Sequence, residues 1–290
     1  FLAIIIILLA SFSPYWLVGS VLLALWSGTA YGAYFYFVKH LQLWDASWII
    51  LVTTVTGFHA VFNRFVKEFS LKQQIKKQFE HYLAPAMVKK LQKDPSLLKL
   101  GGETRHMTFM FSDIRGFTPI SEKYKGDPEG LTKLINRFLT KMTEVIIKNG
   151  GTIDKFMGDC IMAFWNAPID DPRHERHAIA AALEMQEELE MLNANLIAEG
   201  LPKINIGIGI NTGRALVGNM GSEQRFDYSV IGDAVNLAAR LESSSKTLGK
   251  TLVVGEDTVR VASLAYKFDY VDEITVKGKT EPVKVYTINS

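Results

Sequence analysis

Trp16–Val38 is a run of 23 residues without one Asp, Glu, Lys or Arg. No other feature restricts so strongly what this chain can fold into. As a helix the run is ~35 Å long at ~1.5 Å per residue, enough to cross ~30 Å of hydrocarbon. Ser47–Val66 is a second such run, uncharged until Arg64. Phe1–Phe12 is strongly apolar but too short to span, and reads as the end of a spanning helix that starts before Phe1. A cleaved signal peptide is the rival reading, but the segment lacks a basic n-region and a small-residue cleavage site. Buried helices of a soluble core are the bland alternative for the two longer runs, and such helices rarely stay uncharged for so long. Trp16, Trp44 and Trp48 fall near the ends of the spans, where aromatic belts belong.

The 290 residues carry 32 Lys and Arg and 30 Asp and Glu, yet only Lys39, Asp45 and Arg64 fall before residue 67. That split excludes a uniformly soluble globule and a mainly disordered chain. A single cysteine, Cys160, excludes an intrachain disulfide framework and a multi-cysteine zinc site, and fits a reducing compartment. A net charge of +2 does not suggest a nucleic acid polymer as partner. Arg64, Lys67, Lys72, Lys76 and Lys77 follow the last span, against Glu68 and Glu80, so the positive-inside bias puts the rest of the chain in the cytoplasm. The loop after the first span then lies outside, as does whatever precedes Phe1. His59 and Asn63, four apart on the last span, could carry signal between helices, but suit an interhelical hydrogen bond or interfacial solvation better.

Three parts follow: a membrane region over 1–66 with spans at about 16–38 and 47–66, a helical connector over 67–102, and a domain over 103–290. The connector has Phe69, Ile75, Phe79, Tyr82 and Leu83 at irregular helical intervals before Pro85. This fits an imperfect parallel coiled coil or a membrane-surface helix. Gly101-Gly102 marks its end. Beyond it, His106–Ser112, Thr152–Phe156, Cys160–Trp165, Lys203–Asn211, Thr251–Val254 and Val283–Ile288 read as strands. Leu131–Asn149, His174–Glu199 and Ala234–Lys246 read as helices. The order β-α-β-β-α-β predicts an α+β domain of the ferredoxin-like split βαβ kind.

Asp113 ends the first strand, and Asp159 sits in the hairpin Met157-Gly158-Asp159. If that strand lies beside the hairpin, the two carboxylates meet at one sheet edge. Close carboxylates repel unless a cation lies between them, and Mg²⁺ prefers one or two carboxylates plus phosphate oxygens. The turn Ile114–Thr118 into a helix, through Gly116 and Phe117, presents free N–H groups that suit a triphosphate. Taken singly, each Asp serves as well as a turn or cap residue. Asn236 and Arg240 share a helical face, which suits a ribose and a phosphate or simply solvent. Asp170–His177 looks like a metal cluster but reads better as a helix start. Cys160 reads as a buried strand residue. Gly213–Gly221 lacks the Gly-Lys-Ser/Thr of a Walker loop and suits a hairpin or a dimer edge.

Four segments in order, Phe111–Thr118 (FSDIRGFT), Asp154–Trp165 (DKFMGDCIMAFW), Gly209–Gly221 (GINTGRALVGNMG) and Tyr228–Ser243 (YSVIGDAVNLAARLES), resemble the motifs of class III purine nucleotide cyclases, and among them the adenylyl cyclases. The resemblance covers about Glu103 to Ile288. With its membrane part the chain is similar to bacterial receptor cyclases that carry a sensor outside. The resemblance implies a head-to-tail homodimer that converts ATP to cyclic AMP and pyrophosphate at two sites across the interface. Two Mg²⁺ or Mn²⁺ would sit on Asp113, Asp159 and the Ile114 backbone of one subunit. From the partner's side, Lys155 and Ser229 would select the purine, Asn236 would orient the ribose, and Arg240 would stabilise the transition state. Lys277 would hold the terminal phosphates, with Lys279 as its substitute. Lys155 donates to adenine N1, and the Ser229 hydroxyl accepts from the adenine amino group. Many relatives have Asp where Ser229 stands, and the departure weakens discrimination and opens the site to some GTP. Guanylyl cyclases carry Glu and Cys at these two positions, which Lys155 argues against. A silent cyclase-like domain that only binds nucleotide or a partner would lack one of the two aspartates, Asn236 or Arg240, and all four are present. The anchor implies membrane lipid as a further partner.

Overall fold

A computed structural model describes residues 2–80, 100–275 and 282–288. The chain divides into a helical unit and a sheet unit.

The helical unit consists of α1 (Leu2–Phe12), α2 (Tyr15–His40) and α3 (Ser47–Glu80). Pro14 stands at the N-cap of α2, where a missing N–H costs nothing. Tyr15–His40 and Ser47–Gln74 are long and apolar enough to cross a membrane. Between these helices Trp26 Nε1 donates to Thr53 Oγ1 at 3.1 Å. Gly57 faces Leu22, where a Cβ would come within 2.8 Å of Leu22 Cδ1. α1 leans on α3 through Arg64, whose guanidinium donates to Ala10 O at 2.9 Å and Ser13 O at 2.6 Å. The same group lies 4.8 Å over the Tyr15 ring and pairs with Glu68. His59 and Asn63 hydrogen-bond to each other at 2.9 Å within α3 rather than to another helix. α3 continues without a break past Val66 to Glu80, and the remainder of the connector, Pro85 included, lies outside the described residues.

The sheet unit begins with β1 (Gly101–Ile114), α4 (Phe117–Lys123), α5 (Pro128–Lys148), β2 (Thr152–Met157), β3 (Cys160–Trp165) and α6 (His174–Ala198). It continues with β4 (Ile206–Ser222), β5 (Arg225–Ile231), α7 (Asp233–Thr247), β6 (Leu252–Gly255), α8 (Glu256–Ala262), β7 (Asp269–Ile274) and β8 (Val283–Thr287). The sheet order is β2-β3-β1-β4-β6-β8-β7, with β5 paired to β4. All pairs are antiparallel except β4 with β6. The first four strands in that order, with α5 and α6, form the expected split βαβ core.

β1 is apolar nearly throughout because both its faces are covered. Met110 and Ile114 face α5 and α6 with Phe138, Met142 and Met185. Met107, Phe109 and Phe111 face the other way with Met162, Phe164, Val235 and Ala238. β4 shows why alternation in sequence does not always mean one wet face. Ile206, Ile208 and Ile210 enter the core under α5 and α6. Gly207 and Gly209 let the backbone of α7 press onto the opposite face, where a Cβ on Gly209 would come within 2.7 Å of Glu242 Cα. The glycine-rich Gly213–Gly221 is not a hairpin but the second half of β4, and the hairpin follows at Ser222–Arg225 into β5. Gly218 pairs with Gly102, and a Cβ there would strike the β1 backbone. Gly101-Gly102 therefore opens β1 rather than merely closing the connector.

Candidate functional site

Asp113 is the thirteenth residue of β1, in register with Gly207 of β4. Pairing of β1 with β3, Ser112 opposite Ile161, brings the β2–β3 hairpin alongside the end of β1. Gly158, with φ +69, makes the tight turn, and Asp159 follows it. The two carboxylates are neighbours. Burial and the Asp113 charge push Asp159 up to about 6, against the pull of the N–H groups of Asp159 and Ile114. Asp159 Oδ2 is buried and has no hydrogen-bond partner. A crowded carboxylate pair with an orphaned buried oxygen is a donor set that suits a hard divalent cation. Glu242 of α7 is a third acid close by, pushed up to about 7 by burial and by Asp113. Sequence reasoning passed over it, because its burial against Asp113 follows from packing and not from its neighbours in the chain.

In the turn after Asp113, Arg115 N–H goes to Asn205 O at 2.8 Å. Gly116 is left-handed at φ +68 and caps α4 without any side-chain bond. Phe117 and Thr118 open that helix, so their N–H groups have no partner within it.

A groove of about 730 Å³ gathers Lys155, Ser229, Asn236 and Glu242, with Phe111 and Met162 in its floor. Asp113, Asp159 and Arg240 are not in its wall. Asn236 is exposed, Arg240 is half-buried, and neither side chain has a partner among the described residues. They stand one turn apart on α7, which the glycines of β4 hold against the sheet. Lys277 and Lys279 lie outside the described residues.

A residue behind the groove wall also escaped sequence reasoning. The Asp154 side chain is wholly buried, and its Oδ2 accepts from Ser229 Oγ at 2.8 Å and Val230 N at 3.3 Å. Lys155 Nζ lies 3.2 Å from its other oxygen. Burial pushes the Asp154 carboxyl up, and these partners pull it back.

The histidine-rich stretch starts α6 as expected, with Asp171 accepting from Arg173 N at 3.0 Å and paired with His177 at 2.7 Å. His106, His174 and Glu175 bring ligand atoms within 4.8 Å of one another. Both ring nitrogens of His174 are engaged, one with Thr108 Oγ1 at 2.8 Å and one 3.3 Å from Glu175. The hydroxyl chain runs on through Thr212 to Thr258. Burial holds His174 below the usual histidine range, so it serves as a neutral link across the sheet. Burial pushes the Cys160 thiol up to about 12, which makes it an inert strand residue.

Residues 102–290 match the family model described as the adenylate and guanylate cyclase catalytic domain. The chain is 36% identical over 184 residues to Adenylate cyclase 1 of Rhizobium meliloti, covering 63% of this chain and 27% of that protein. It is 33% identical over 252 residues to an adenylate cyclase of Anabaena cylindrica, covering 83% of this chain and 48% of that one. The chain thus spans less than half the length of either relative. Among solved structures it is similar to the adenylyl cyclase CyaB from P. aeruginosa, at 36% identity and a TM-score of 0.62 over 66% of this chain and 97% of that one. It is also similar to the guanylyl cyclase Cya2, at 36% identity and a TM-score of 0.59 over 65% and 94%. With the split βαβ sheet and the motifs it carries, the chain belongs, through residues 102–290, to the adenylate and guanylate cyclase catalytic domain family.

Proposed function

We propose that this chain is a membrane-anchored adenylyl cyclase that converts ATP to cyclic AMP and pyrophosphate at sites shared by two copies of the chain. Likeness to an adenylyl and to a guanylyl cyclase is equal at 36% identity, so the purine has to be argued from the groove. The observation that carries the reading is the pair Lys155 and Ser229 in one groove. An ammonium only donates, which suits adenine N1 and not the N1–H of guanine. The Ser229 oxygen accepts from the adenine amino group.

Asp113 and Asp159, with the Ile114 backbone, would hold two Mg²⁺ or Mn²⁺, as the crowded and unsatisfied Asp159 carboxylate supports. Bound there, the ions supply acidification of the ribose 3′-hydroxyl and neutralisation of phosphate charge. The N–H groups of Gly116, Phe117 and Thr118 take phosphate oxygens. The partner's Asn236 orients the ribose so that its 3′-oxygen lies in line with the α-phosphorus. A new bond forms between those atoms, the bond from α-phosphorus to the bridging oxygen breaks, and pyrophosphate leaves. The partner's Arg240, without a side-chain partner among the described residues, meets the charge that develops, an effect of the kind worth about 3–4 kcal/mol. Lys277 or Lys279 steadies the terminal phosphates.

The lengths of the two apolar helices and the basic residues Arg64, Lys67 and Lys72 at the end of the apolar part of α3 support an anchor in lipid with the catalytic domain on the cytoplasmic side. Regulation by a sensor outside, upstream in the same polypeptide, rests on the resemblance to receptor cyclases. Purified chain with Mn²⁺ and either ATP or GTP tests the activity. Cyclic AMP in clear excess is expected. Cyclic GMP in excess overturns the purine assignment, and no product from either nucleotide points to a silent binding domain.

A further inference from the structure

We propose that Asp154 is a positioning residue that sets the choice of purine through Ser229. This rests on the reading of Lys155 and Ser229 as the pair that faces the base.

In a regular strand Asp154 and Lys155 point to opposite faces. β2 is not regular: its register with β3 shifts between Ile153 and Lys155, which makes Asp154 the extra residue of a bulge. Bulges re-aim side chains. Here the bulge turns the Asp154 carboxylate inward against β5, a strand with which β2 shares no ladder. Lys155, on the open side, is 45% exposed, yet its ammonium stays 3.2 Å from Asp154 Oδ1. One buried carboxylate therefore touches both residues of the base-reading pair.

Its effect on Ser229 follows from hydrogen count. A hydroxyl has one hydrogen and two lone pairs, and an ionised carboxylate only accepts. Ser229 therefore gives its hydrogen to Asp154 Oδ2, and only lone pairs remain for a ligand. A base edge set against Ser229 has to bring a donor. The amino group of adenine does so, whereas the carbonyl oxygen of guanine in the same place meets lone pairs. A serine without Asp154 could turn its hydrogen outward and serve either base. The serine that stands where many relatives have Asp does not loosen selection. The carboxylate is retained one hydroxyl further back. Val230 N–H points at the same Oδ2 and keeps an acceptor there.

The test is kcat/KM for ATP and for GTP, with Mn²⁺, on the full chain and its variants. Asp154→Ala is expected to lower the ATP:GTP ratio by about tenfold or more, with much of the change a gain in GTP use. Ser229→Ala lowers the ratio as well, and Asp154→Ala adds nothing on that background, because it acts through the hydroxyl. Asp154→Asn keeps the ratio within about threefold, since its carbonyl still accepts from Ser229 and Val230. If Asp154→Ala does not fold, the transplant Asp154→Ser/Ser229→Asp decides: a carboxylate moved to the base edge keeps ATP preferred. An unchanged ratio in folded Asp154→Ala while Ser229→Ala moves it, additive losses, or a transplant without ATP preference overturns the role of Asp154 alone. An unmoved ratio in Ser229→Ala overturns the base reading, and this proposal with it.

Discussion

Asp159 shows how much one carboxyl reports about its surroundings. Its ordinary value is 3.8, and in the fold burial and Asp113 push it up to about 6. The folded chain thus holds this proton more tightly than the unfolded chain. The group's contribution to stability is full below pH 3.8 and is lost as pH rises through about 6. Without divalent metal, Asp159→Asn is therefore expected to raise the unfolding temperature at pH 7.5 and to leave it unchanged near pH 4, where the aspartate is already protonated. Adding Mn²⁺ at pH 7.5 should raise the midpoint of the natural chain more than that of the variant. Calorimetry at the two pH values checks both statements. Equal midpoints at pH 7.5 would show that the carboxylates do not crowd.

At the scale of elements, the decisive contact is between α7 and β4. The helix carries Asn236, Arg240 and Glu242, and it can sit on the strand only because Gly207 and Gly209 lack side chains. A Cβ on Gly209 would run into Glu242 N and Ala238 O, which are backbone atoms and cannot rotate away. Gly209→Ala should cost about 1–3 kcal/mol by overpacking. It should also lower turnover, because α7 has to move outward with Asn236 and Arg240. Gly116→Ala meets open space and strains only its own backbone at φ +68. Denaturant unfolding of the two variants side by side checks the difference. The same contact explains a limit of sequence reading. Ile-Gly alternation in Ile206–Ile210 looks like a strand with one apolar face, and the glycine face is in fact buried under a helix.

At the scale of the molecule, the proposed function divides the chemistry between two copies of the chain. Within one chain Lys155, Ser229 and Asn236 line the groove, and Asp113, Asp159 and Arg240 stand outside its wall. A test of the division has to remove the acidic pair from one copy and Arg240 from the other. Mixing Asp113→Ala/Asp159→Ala subunits with Arg240→Ala subunits should then restore one working pocket per heterodimer. Each parent homodimer alone is expected at least about a hundredfold below the natural chain, the scale of removing one preorganised donor. Cyclic nucleotide formed by the mixture, against either parent at equal total concentration, is the measurement. Mixtures that associate and stay inactive would show that each chain works alone.

The two long apolar helices, the order of the core strands and helices, and the motifs around Asp113, Asp159, Asn236 and Arg240 were legible in the chain because they rest on local patterns: charge-free length, periodicity and short-range spacing. β5 was missed because Arg225–Ile231 mixes charged and apolar residues without clean alternation. The Gly213–Gly221 half of β4 was missed because glycines that permit close strand pairing look like turn residues. Asp154 was invisible for a different reason. Its neighbours in sequence say only that it lies on a strand, and its side chain is aimed by a bulge toward Ser229, 75 residues away. Local sequence determined which elements form, since backbone preference and apolar spacing act within a few residues. Tertiary structure alone decided which buried carboxylate meets which hydroxyl, because a hydrogen bond across strands depends on register and packing that no short stretch of chain encodes.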